Sequence, residues 1–71
     1  MPRNVVSEVT GLVSRIEKRV GDYVNKGDVL LILEAMKMEL PLEAPVAGTI
    51  AAIRCQEGQN VTEGDILVVL S

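Results

Sequence analysis

An all-β fold is predicted, built as two sheets or one flattened barrel of seven or eight short strands, and three observations predict it. Val, Ile, Leu and Thr dominate the runs between turn signals. Those runs are short and leave almost no room for a helix. The chain also repeats itself at a fixed spacing, so two like halves must share one core.

The elements follow in order. Val5–Val9 and Leu12–Ile16 read as strands flanking a turn at Thr10-Gly11. Glu8–Val20 could be drawn as a helix, but Gly11 and the β-branched residues weigh against it. Val29–Glu34 is a strand entered from Lys26-Gly27-Asp28. Thr49–Cys55 follows Ala47-Gly48, and Ile66–Leu70 follows Glu63-Gly64-Asp65. Asp28 and Asp65 are expected to hold their turns through backbone hydrogen bonds. The apolar spacing from Val13 to Ile16, repeated from Ile50 to Ile53, is three rather than two, which predicts a bulge or bend in each strand.

The repeat is clearest in the glycines. Gly11, Gly21 and Gly27 recur 37 residues later as Gly48, Gly58 and Gly64. Residues 5–34 laid on 42–71 give nine identities without a gap, among them Val9/Val46, Ile16/Ile53, Val24/Val61, Asp28/Asp65, Leu30/Leu67 and Leu33/Leu70. Two copies are too few for a solenoid, which needs three or more units to bury its core. Approximate two-fold symmetry within one domain, residues 1–71, is the expectation.

Composition narrows function by exclusion. The chain has 71 residues, a net charge of −3, no His, no Trp and one Cys. It is 48% hydrophobic, so it is too apolar to be disordered. A Ser-His or Cys-His catalytic pair is impossible without histidine. A zinc site would need an unusual set of carboxylates. Mild acidity and a single aromatic residue, Tyr23, argue against nucleic acid, which selects basic surface and stacking rings. The longest apolar run, Val29–Leu33, is too short to span a membrane. The lone Cys55 reads as a buried small hydrophobe, and Arg15, Lys18 and Arg19 read as a solvated strand face. With no apolar leader after Met1, a reducing, cytoplasmic compartment is expected.

Between the copies lies Ala35-Met36-Lys37-Met38-Glu39-Leu40-Pro41. A strand enters through Leu31 and Leu33 and another leaves through Leu40 and Leu42, so a tight hairpin with its tip at Met36-Lys37 is the simplest connection. Two-residue hairpin turns favour Asn-Gly or Asp-Gly because both positions need positive φ. Met and Lys are poor choices there, and such strain clusters at functional positions. A lone lysine is ordinarily a solvated charge and Met is ordinarily core filler. The position of this lysine, centred on the symmetry junction, sets it apart.

Glu34-Ala35-Met36-Lys37-Met38-Glu39 resembles the attachment motif of biotinyl domains, the biotin carboxyl carrier modules of biotin-dependent carboxylases. The spacing to Ala44-Pro45 and Gly48, and Gly21-Asp22 through Gly27-Asp28 with its echo Gly58 through Gly64-Asp65, resemble that family too. The likeness runs from about Val5 to Leu70. It implies a barrel-sandwich hybrid of two four-stranded antiparallel sheets with quasi two-fold symmetry. It also implies that Lys37 carries covalent biotin and that Met36 and Met38 mark biotinyl rather than lipoyl identity. Glu34, Ala35 and Glu39 would help biotin protein ligase recognise the hairpin, and biotin carboxylase and a carboxyltransferase would be the later partners, with the chain a carrier and no enzyme. Many family members carry Ala-Pro-Met-x-Gly where this chain has Ser7-Glu8-Val9-Thr10-Gly11, which leaves the local loop shape open. No inserted thumb loop and no Pro/Ala-rich linker are seen, so a free-standing carrier or a piece of a larger subunit is expected. The competing readings are a lipoyl domain, which shares the fold, and an unmodified β interaction domain.

Overall fold

A computed structural model describes residues 2–71, which form eight strands and no helix. In chain order they are β1 (Arg3–Val6), β2 (Gly11–Ile16), β3 (Tyr23–Val24), β4 (Val29–Ala35), β5 (Met38–Glu43), β6 (Gly48–Ile53), β7 (Asn60–Val61) and β8 (Ile66–Leu70). They make two four-stranded antiparallel sheets, ordered β1-β8-β6-β3 and β5-β4-β2-β7. The molecule is elongated, 32 × 17 × 17 Å.

The repeat generates this arrangement strand by strand. Moving 37 residues along the chain converts β1 into β5, β2 into β6, β3 into β7 and β4 into β8. The first sheet order therefore becomes the second. Neither half forms a sheet by itself: each sheet combines two long strands of one half with the two short or edge strands of the other. Hydrogen bonds between the halves come in matched pairs. Ser7 N–H donates to Asp65 O and Ala44 N–H to Asp28 O, both at 2.8 Å. Gly27 N–H donates to Ala44 O and Gly64 N–H to Ser7 O, again at 2.8 Å. These bonds continue the β1-β8 and β4-β5 pairings past the strand ends and so tie one half to the other within each sheet.

The predicted bulges are present and symmetric. Register slips between Val13 and Arg15 where β2 meets β4, and between Ile50 and Ala52 where β6 meets β8. Each slip returns the next apolar residue, Ile16 or Ile53, toward the core. The core is aliphatic, with Val13, Val24, Leu30, Leu31, Ile50, Leu67, Val68 and Leu70 all fully buried. Tyr23 stays outside it.

Several boundaries differ from expectation. The first strand stops at Val6 rather than Val9. Ser7 is buried, and its hydroxyl donates to Val9 O at 2.6 Å, an alternative to the strand ladder that bends the chain. In the second half Pro45 follows Ala44 at the equivalent bend, so a serine hydroxyl does locally what a proline ring does there. The sixth strand ends at Ile53, which leaves Cys55 beyond the strand yet buried as expected. Gly11 and Gly48 open strands instead of forming turns, and neither has positive φ. A side chain on Gly11 would strike the carbonyl oxygen of Glu34, and one on Gly48 would lie 2.8 Å from that of Ser71. These two glycines recur because a neighbouring backbone passes against them; the other four have positive φ.

Candidate functional site

Strands β4 and β5 build the hairpin that was expected at the junction. Leu31 pairs with Leu42 and Leu33 with Leu40, four side chains that turn toward the interior. Period-two alternation then sends Glu34 and Glu39, themselves paired, to the outer face. Ala35 pairs with Met38 and ends the ladder, leaving Met36-Lys37 as the two-residue turn. Both turn residues have positive φ, 53° at Met36 and 64° at Lys37, the signature of a type I′ turn. They are the two positive-φ residues other than glycine among the described residues.

The tip is fully presented. Met36 is 93% exposed, Met38 is 60% exposed, and Lys37 is exposed between them. Among the described residues the one ion pair is Arg15–Glu17, so the Lys37 ammonium has no carboxylate partner. Glu34 and Glu39 stand directly opposite one another just below the tip. Like charges in that relation work against the sheet, and they give the outer face of the hairpin a negative field. Ala35 is half-buried, and a side chain on Gly11 would come within 3.2 Å of its Cβ. Small residues at both positions let β2 tuck under the hairpin and brace it. The family resemblance assigns Ala35 to ligase recognition, and the structure adds this packing role.

Away from the tip, the other singled-out residues serve the fold. Asp28 accepts from Asn25 N–H and Asp65 from Thr62 N–H, each at 2.8 Å, as expected of turn aspartates. Burial pushes the Cys55 thiol above its ordinary pKa of 9.0, which favours the neutral form and makes it a poor nucleophile. Among the described residues no cluster of His, Cys, Asp or Glu could hold a metal ion.

The arrangement offers one primary amine on a braced hairpin, and the chain that carries it is similar to known proteins. The family model described as "Biotin-requiring enzyme" matches residues 1–70. The "Biotinylated protein TB7.3 homolog" of Mycobacterium leprae is 44% identical over 50 residues, 70% of each chain. "Pyruvate carboxylase" of Bacillus subtilis is 45% identical over 49 residues, 69% of this chain but 4% of that protein. The crystal structure of the Kluyveromyces lactis urea carboxylase superposes on the whole of this chain with a TM-score of 0.95 at 34% identity, using 6% of its own length. The 71 residues therefore correspond to most of one small relative and to a small part of two large ones.

Proposed function

The chain belongs to the biotin/lipoyl family of biotin-requiring proteins, and from that membership we propose that it is a biotin carboxyl carrier whose attachment point is Lys37. The observation that carries the assignment is the exposed, unpaired lysine on a positive-φ turn flanked by two exposed methionines. The lipoyl reading shares the fold, and Met36 and Met38 weigh against it.

In its apo form the domain is a substrate of biotin protein ligase. The Lys37 amine, once it has shed a proton, attacks the acyl carbon of an adenylated biotin. An amide forms, the adenylate leaves and a proton is released. The ammonium charge is lost, so the net charge moves from −3 to about −4. Projection of the tip beyond the β4-β5 ladder lets the ligase surround the amine without unfolding the sheet. The flanking thioethers present apolar, adaptable contact area, and Glu34 and Glu39 favour a basic rim on the ligase.

Attached biotin supplies a ring nitrogen that takes up a carboxyl group at one active site and gives it up at another. The chain contributes delivery between a biotin carboxylase and a carboxyltransferase, and it is read as a carrier rather than a catalyst. A tethered group meets each active site at an effective concentration in about the mM range. Visiting two sites in turn requires contacts small enough to release, which a narrow hairpin end provides.

Incubation with biotin ligase, ATP and biotin tests the assignment. Intact mass is expected to rise by one biotinyl group, with the label mapped to Lys37 and absent from Lys37→Ala. A wild-type chain left unlabelled beside a modified control carrier would sink it. The mass found on protein isolated from its native host separates biotin from a lipoyl adduct.

A further inference from the structure

The edges of β1 and β5 run side by side and leave two shallow grooves along their seam. The one on the tip side has a volume of about 300 Å³ and is lined by Glu8, Val9, Leu33, Leu40, Pro41 and Leu42. The one toward the chain ends has a volume of about 270 Å³; it shares Glu8 and Leu42 with the first, and its lining also includes Arg3, Asn4, Val5, Glu43 and Pro45. The internal repeat relates them: Arg3, Asn4 and Val5 are the counterparts of Leu40, Pro41 and Leu42, and Pro45 is the counterpart of Glu8. The same fold is thus satisfied by Arg-Asn at one end and by Leu-Pro at the other. Folding alone does not demand an apolar groove on the tip side.

We propose that this tip-side groove is a resting dock for the biotin carried on Lys37, an inference that rests on the carrier reading above. Leu40 lies three residues from Lys37 along β5, about 10 Å at ~3.3 Å per residue. The joined lysine and acyl arm has about ten bonds between Cα and the biotin ring, a reach of about 12 Å at ~1.2 Å advance per bond. The ring therefore folds back onto the groove without any change in the hairpin. The groove volume is at the lower end of the ~300–1,000 Å³ occupied by small-molecule sites. Its leucines, valine and proline suit the thioether ring and methylene chain. The Glu8 carboxylate at the rim is an acceptor for the ureido N–H groups. Docking on the carrier itself keeps the group near the hairpin and out of bulk water between visits.

The test compares methyl-labelled protein before and after complete biotinylation, with labelling verified by intact mass. The Val9, Leu33 and Leu40 methyl resonances are expected to shift, to show nuclear Overhauser contacts with the biotin ring, and to stay unchanged on dilution. The double variant Leu40→Arg/Pro41→Asn takes the residues found at the equivalent positions of the other groove, and a thermal melt checks that it stays folded. It is expected to lose those contacts and to be captured by streptavidin about two- to tenfold faster, because capture draws on the undocked fraction. Shifts confined to Ala35–Met38, with equal capture rates, would overturn the dock. Groove shifts that grow with protein concentration would overturn it too, by assigning the groove to a second copy of the chain. A chain that accepts no biotin overturns both readings, whereas a fully labelled chain with a silent groove overturns this one alone.

Discussion

Lys37 and Met36 occupy backbone conformations that most side chains avoid, and the cost is retained at one place. Positive φ at a residue other than glycine costs on the order of 1–3 kcal/mol. Asn-Gly would relieve it, and nothing in the packing forbids that pair, because Met36 and Lys37 touch no core. The double variant Met36→Asn/Lys37→Gly is therefore expected to be more stable by about 1–2 kcal/mol and to accept no biotin. Urea denaturation and intact mass read the two effects separately. An unchanged or lowered midpoint would show that the tip is not strained. Local spacing made Met36-Lys37 legible as a tip. The packing role of Ala35 was not legible, because its neighbour Gly11 on β2 is 24 positions away in the chain.

At the scale of elements, the internal repeat provides its own controls. The turn at Glu57-Gly58 packs on β2, where Glu57 Oε2 accepts the Ile16 N–H at 2.9 Å. Its counterpart is Val20-Gly21, and the counterpart of Ile16 is Ile53. Val20 is 61% exposed and supplies no acceptor. Glu57→Ala is expected to lose about 0.5–1 kcal/mol, the net worth of such a bond at the surface. Val20→Glu should gain a similar amount by building the missing clasp at Ile53. Thermal melts of the two variants check the pair, and a Val20→Glu protein no more stable than wild type would show that the two turns are not equivalent. The predicted bulges could be read from apolar spacing alone. The end of β1 could not, because it depends on a serine hydroxyl that competes with the strand ladder.

The two halves of the whole molecule cannot be separated. Each sheet needs strands from both copies, and the matched bonds from Ser7 to Asp65 and from Ala44 to Asp28 join one copy to the other. Peptides 1–36 and 37–71 are therefore each expected to be unfolded by circular dichroism, while the full chain melts in a single transition. A folded isolated half would contradict the interleaved topology. The sequence by itself determined the strand class, the duplication, the bulges and the lysine at the hairpin tip, because turn chemistry and side-chain alternation act over a few residues. Only the tertiary structure decided how the copies share their strands, why Gly11 and Gly48 must be glycine, and that a groove lies within reach of the tip. Those features arise where segments distant in the chain come into contact, and no local pattern records which segments will meet.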